Sequence, residues 1–252
     1  MSTRLRLLAA TLGGTVLLLG SLLSAVTPVA AASSSTTSGP CAAAAATYKA
    51  SENLANGIAL GDCMINERLT FLGNLSTQMA KHTSLTSGDL AALSGIDSAD
   101  TIGLTSLETT LDHESSLASV QSDLMAIVKD YRVYLLFARQ VTLVEGADAV
   151  SATQGHFTTL NTKLLARIDA AAAKGKNTSA ASAQLADMNS AVSRAMTDVS
   201  GLSSALLLLT PTAYNAGSAK SVLSHARNAI LRARAQLLDA RGDALRVVAD
   251  LR

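Results

Sequence analysis

The sequence predicts an all-α fold, an elongated antiparallel helical bundle with coiled-coil-like packing. Three observations carry this. Ala and Leu dominate the 252 residues, and prolines occur only at Pro28, Pro40 and Pro211, so little interrupts a helix. Apolar residues from Leu223 to Leu251 step by alternating three and four for eight intervals. Long periodic segments of this kind are separated by short polar stops such as Lys174-Gly175-Lys176-Asn177.

Residues 1–32 read as a cleavable secretory signal peptide. Arg4 and Arg6 form a basic start, an apolar run follows from Leu7 to Val26, and Ala30-x-Ala32 offers a small-residue cleavage site. An uncleaved membrane anchor is the alternative, since about 20 apolar residues suffice to span a bilayer; the glycines within the run and the cleavage site favour a peptidase substrate. Residues 33–40 form a flexible Ser/Thr linker ending in Gly39-Pro40. Residues 41–252 are expected to form the helical-bundle domain, with shorter helices over 42–130 and long ones over 140–252.

Within that domain, Ala42 to Ala55 reads as a first helix ended by Gly57 and Gly61. Asp62 then caps a second, whose apolar face is Ile65, Leu69, Leu72 and Met79. Thr86-Ser87-Gly88-Asp89 starts a short helix through Leu90 and Leu93, and another short one carries Leu104, Leu107 and Leu111. After Ser115 the series Leu117, Val120, Leu124, Ile127 and Tyr131 is helical. Arg132 to Val144 is the most apolar stretch after the signal; its β-branched and aromatic residues suit a strand, but its length and flanks fit a buried, kinked helix better. A long helix continues to Ala173, and another runs from Thr178 through Leu185, Met188, Val199 and Leu206 to Leu209. Thr210-Pro211 is a turn or the start of the next helix. In the last helix Leu231, Leu238 and Leu245, spaced by sevens, are expected to widen the buried stripe, with alanines allowing close approach.

Cys41 and Cys63 are the two cysteines, and in an oxidising exterior they are expected to pair as a disulfide. Free thiols or half of a metal site are the alternatives, and no His lies near either in sequence.

The chain has 20 basic residues; without Arg4 and Arg6, 18 oppose 19 acidic ones, a balance that gives no reason to expect a nucleic-acid partner. Four Tyr, three Phe and no Trp leave little surface for stacking on sugars or bases. His82, His113, His156 and His225 include no pair at helical zinc spacing, and Asp112-His113-Glu114 points its three groups in different directions along a helix. No G-x-S-x-G elbow, P-loop or G-x-G-x-x-G fingerprint occurs outside the signal. Glu108, Glu114 and Glu145 could pair across helices, but nothing in the sequence selects them over ordinary surface carboxylates. Catalytic, metal and cofactor-binding residues are therefore expected to be none.

Charge is unevenly placed. Lys220, Arg227, Arg232, Arg234, Arg241, Arg246 and Arg252 face only Asp239, Asp243 and Asp250 in the final segment, a net of +4 against −5 for the preceding body from Cys41. Either the last helix packs on that acidic body, with Arg246 and Asp250 paired at i, i+4, or Arg227, Arg234 and Arg241 form a face for an anionic cell-wall polymer.

Lys129-Asp130-Tyr131-Arg132-Val133-Tyr134, the run Ala170-Ala171-Ala172-Ala173-Lys174-Gly175-Lys176, Leu209-Thr210-Pro211 with Tyr214 and the arginine-rich final helix together carry a resemblance. The chain resembles a group of small exported helical proteins common in actinobacteria. That resemblance implies export and an all-helical fold, and it carries over no catalytic or binding residue. The expected role is a secreted, non-catalytic structural or interaction protein of the bacterial cell envelope or its surroundings. Its partner would be an anionic cell-wall polymer or a protein met through helical faces, with no nucleic acid and with a membrane only during export. A membrane-active protein inserting Arg132 to Val144 and Gly201 to Leu209, or an envelope hydrolase whose site the sequence does not show, are the alternatives.

Overall fold

A computed structural model describes residues 39–252. The signal peptide expected over 1–32 and nearly all of the linker expected over 33–40 lie outside the described residues. Among the described residues the fold is an all-α bundle with no strand. Its helices are α1 (Ala42–Ala50), α2 (Leu54–Met79), α3 (Ser87–Asp112), α4 (Leu117–Lys129), α5 (Ala138–Ala172), α6 (Ser179–Val199), α7 (Leu202–Leu207), α8 (Pro211–Asn215) and α9 (Ser218–Asp250).

Local chemistry sets most of the ends. Asn53, Thr86, Ser116 and Thr210 each accept a hydrogen bond from the backbone N–H three residues on, satisfying a donor that the first helical turn leaves free. Pro211 occupies the first turn of α8, where a missing N–H costs nothing. Gly175 takes φ +77° in the stop between α5 and α6, as its sequence context predicts.

Three element boundaries differ from expectation. Gly57 and Gly61 do not end a helix: both are buried inside α2, which Asn53 caps in place of Asp62. A Cβ at Gly57 would sit 2.6 Å from Cγ1 of Val120 in α4, and one at Gly61 would strike Leu111 in α3. These glycines are contact points where neighbouring helices come close. The two short helices expected around Leu93 and Leu107 are one 26-residue helix, α3, as long as α2 but shorter than α5 and α9. The helix expected to run unbroken to Leu209 stops at Val199, because Gly201 adopts φ +71° and starts α7 in a new direction.

The kink expected within Arg132 to Val144 is a π-helical turn. Over Val133–Phe137 the ladder widens, and the Arg132 carbonyl accepts from both Leu136 and Phe137 before α5 begins. This buries Val133, Leu136 and Phe137 together.

The helices form two three-helix groups sharing one core. In the first, α2 and α3 run antiparallel, with Asn66 donating to Glu108, and α4 lies alongside α2. Cys41 and Cys63 are joined as a disulfide, which ties the start of α1 to the middle of α2. In the second, α6 packs antiparallel to both α5 and α9. Asn189 donates to Asn161 between α6 and α5, Arg232 pairs with Asp198, and Lys176 Nζ donates to the carbonyls of Leu251 and Arg252. Alanines let α6 and α9 approach closely: Ala181, Ala191 and Ala195 of α6 and Ala233, Ala240 and Ala244 of α9 are all buried. Buried Gln140 joins α5 to α7 by donating to the carbonyls of Leu206 and Leu209.

Gly57→Ala is expected to destabilise the fold by about 1 kcal/mol net, because overpacking against the stiff, fully buried Val120 outweighs the helix propensity gained. Adding Val120→Ala should make the glycine replacement harmless or favourable. Urea titrations of the two single variants and the double variant measure this, and strict additivity would contradict the contact.

Burial pushes several carboxyls of the first group upward: Asp62, Asp97 and Asp123 are raised, and Asp100 is raised to about 6 by burial first and then by Asp97. A carboxyl whose pKa rises on folding contributes stability below its unfolded value. That contribution is lost as pH climbs through the folded value. Asp100 therefore makes the chain more stable near pH 4 than at pH 7. Asp100→Asn should raise the thermal midpoint at pH 7 and leave it nearly unchanged at pH 4; an equal shift at both would show that charge is not the cause.

Candidate functional site

The uneven charge of α9 resolves into two sets. One set is paired with carboxylates. Arg232 Nη2 lies 3.0 Å from Asp198 Oδ1 in α6, and Arg246 Nη1 lies 2.7 Å from Asp243 Oδ1. Arg246 thus pairs at i, i+3 with buried Asp243, not with Asp250 as the i, i+4 spacing predicted, because Asp243 faces α6 and Asp250 is exposed.

The other set is unpaired. Arg227, Arg234 and Arg241 make no ion pair or hydrogen bond among the described residues. Arg227 is exposed, Arg234 and Arg241 are half-buried, and Arg234 reaches over Gly146 of α5. Lys220, one heptad before Arg227, is exposed with Nζ 5.3 Å from the ring centre of Tyr214. At 100° per residue these four cations fall on one strip of α9, roughly 10 Å apart and about 31 Å from end to end.

Beside that strip lies a row of leucines. Leu231, Leu238 and Leu245, expected to widen the buried stripe, are 51%, 48% and 50% exposed. The buried seam of α9 is made by Leu223, Ala226, Ile230, Ala233, Leu237, Ala240, Ala244 and Val247, and those residues fill the space against α5 and α6. Each exposed leucine follows an outward arginine by four residues, so the pair shares a face. Between the leucines sit Ala235, Gly242 and Ala249. Ala235 and Ala249 are exposed, and a Cβ built on Gly242 meets only open space. The sequence picks out the arginines, counts Lys220 only in the charge of the segment and not in the face, and misplaces the leucines.

The remaining candidates are less pointed. A furrow of about 510 Å³ between α5 and α6 has Phe157, Val192 and Met196 on its floor and amides and hydroxyls, including Asn161, Asn189 and Ser193, on its rim. It continues into a hollow of about 360 Å³ bordered by Asp89 and Asp148. Asp148 is buried and accepts from the Thr86 backbone N–H and the Ser203 hydroxyl; burial pushes its carboxyl up. It therefore acts as a tie between α5, the start of α3 and α7. Glu145 and His82 form a second such tie, Nδ1 to Oε1 at 2.6 Å.

The sequence-level acid–base candidates have separate partners: Glu108 accepts from Asn66, and Glu145 pairs with His82. His113 closes α3, its Nδ1 2.8 Å from the Thr109 carbonyl. Among the described residues no three His, Cys, Asp or Glu side chains gather to hold a metal ion. No described helix is long and apolar enough to cross a membrane, and the segments considered for insertion bury Val133, Phe137, Val144, Leu202 and Leu206 in the core.

No protein-family model, curated protein or solved structure matches this chain. Any functional reading therefore rests on its own geometry.

Proposed function

We propose that this chain is an exported, non-catalytic interaction protein of the bacterial cell envelope or its surroundings, and that the outer face of α9 is its contact surface. One observation supports this reading above the rest. A 33-residue helix already buried along one side carries on the other an unpaired cationic strip with a leucine row beside it. Half-exposed leucines in a regular row cost solvation at every site, and such patches mark surfaces that meet partners. The disulfide fits an oxidising exterior, where such bonds persist.

Sedimentation with a crude envelope fraction, proteins included, tests the proposal. The protein should pellet with the fraction, and binding should weaken as salt screens the cations. R227E/R234E/R241E should stay in solution while keeping the helical circular-dichroism spectrum. Failure to pellet at any salt, or pelleting indifferent to the charge reversal, would remove the proposal.

A further inference from the structure

We infer that the outer face of α9 is half of a coiled coil whose other half is an amphipathic helix of a different protein, with carboxylates flanking its apolar seam. This rests on the preceding reading of that face as a contact surface and adds the chemistry of what it contacts.

The outward residues of α9 follow a complete heptad register. Leu231, Leu238 and Leu245 hold one seam position, and Asn228, Ala235, Gly242 and Ala249 hold the other. Large residues alternating with small ones is how two helices mesh at short range, because the partner's knobs enter over Ala235 and Gly242. On one flank of this seam stand Lys220, Arg227, Arg234 and Arg241, all at the same heptad position. On the other stand Arg232 and Arg246, already engaged by Asp198 and Asp243, and Asp239. Flanking positions of this kind choose partner and orientation through charge.

Charge argues against a second copy of this chain. In an antiparallel pair the strips would meet arginine to arginine. In a parallel pair Arg227 and Arg241 would face Arg232 and Arg246 of the other copy, leaving Arg234 and Asp239 as the attractive contact. A partner bearing Glu or Asp beside its seam meets every cation favourably. A polyanionic polymer would satisfy the cations but has no use for the leucines. A lipid surface would gain little from Ala235, Gly242 and Ala249, which carry almost no apolar area to bury.

The test uses the purified protein and a synthetic helix of about four heptads with Ala and Leu at the seam and Glu on both flanks. A twin with Lys on the flanks, poly-glutamate, and phosphatidylglycerol-containing vesicles are the other probes. Fluorescence anisotropy of labelled peptide and circular dichroism are the readouts, with light scattering for the state of the protein alone. The Glu helix should bind and gain helicity, at least roughly tenfold more tightly than the Lys twin. L231Q/L238Q/L245Q should lose that binding while its own spectrum stays unchanged, and R227E/R234E/R241E should reverse the preference toward the Lys twin.

Poly-glutamate binding as tight as the helix, or binding indifferent to the leucines, would overturn the inference in favour of a simple polyanion. Binding to vesicles in place of the helix would overturn it in favour of a lipid surface. A dimer broken by the leucine replacements would overturn it in favour of self-pairing. If no probe binds while envelope sedimentation persists, the partner chemistry alone is wrong; if sedimentation fails too, the contact surface itself is wrong.

Discussion

Phe137→Ala is expected to cost about 3–5 kcal/mol of unfolding free energy, the range for removing a fully packed aromatic ring. Phe137 is 2% exposed and closes the π-helical turn over Val133–Phe137. That turn holds one more residue per hydrogen-bonded ring than an α-helix, which rotates everything before it relative to α5. Val133, Leu136, Phe137 and Val141 are thereby brought inward together at the junction between the two helix groups. The backbone hydrogen bonds of the turn persist after the ring is removed, so the site collapses poorly and a cavity remains. In a domain of this size the thermal midpoint should fall by roughly 10 °C. A loss below about 1 kcal/mol by urea titration, against this expected range, would mean that the ring is not an anchor of the junction.

The second large effect concerns the Cys41–Cys63 disulfide. C41S/C63S should lower stability by about 3 kcal/mol, since the cross-link closes a loop of 22-residue separation and so restricts the unfolded chain. A local effect accompanies this global one. Helix α1 spans nine residues and fully buries no side chain of its own; besides the disulfide at its start, half-buried Tyr48, which lies over Gly57 of α2 and accepts from Gln121 of α4, docks it. An isolated helix this short is marginal in water. In the double-serine variant, amides of Ala42 to Ala50 should exchange with solvent far faster than those of α2, and the same change should follow reduction of the native protein. Unchanged exchange in α1 would show that packing, not the cross-link, docks it.

How much of this the sequence makes legible depends on the range over which each feature is decided. Caps and stops at Thr86, Gly175 and Pro211 are set by neighbouring residues and are readable without a structure. The last helix and the centre of its buried seam are equally plain, because the steps of three and four run unbroken for eight intervals. Gly57 and Gly61 are different. A glycine reads as a stop until it is known that Val120 and Leu111 come to lie against it, and those residues are about 50 to 60 positions away. The break at Gly201 is missed for the opposite reason: the leucines on either side keep helical spacing through it.

The candidate face divides in the same way. Arg227, Arg234 and Arg241 stand out as charge, but charge alone does not show which arginines of α9 find a carboxylate. The structure assigns Arg232 to Asp198 and Arg246 to Asp243, and only then do the unpaired cations separate from the paired ones. Leu231, Leu238 and Leu245 lie at the edge of two apolar periods at once. Which period is buried depends on the rotation of α9 against α6, which buries Ala233, Ala240 and Ala244. Heptad spacing predicted packing for these leucines; it did not say against what.

The central claim is that α9 works through its outward seam, and single-cysteine labelling tests it most directly. Both native cysteines are held in the disulfide, so one introduced thiol reports alone. Ala235→Cys places it in the seam, and Ser182→Cys places it on the exposed side of α6 as a control. Labelling by a bulky maleimide is followed with and without the envelope fraction. The account predicts that the fraction slows labelling at position 235 and leaves position 182 unaffected, with the protection lost in R227E/R234E/R241E. Equal labelling at 235 with and without the fraction, while the protein still pellets, would place the contact elsewhere and contradict it.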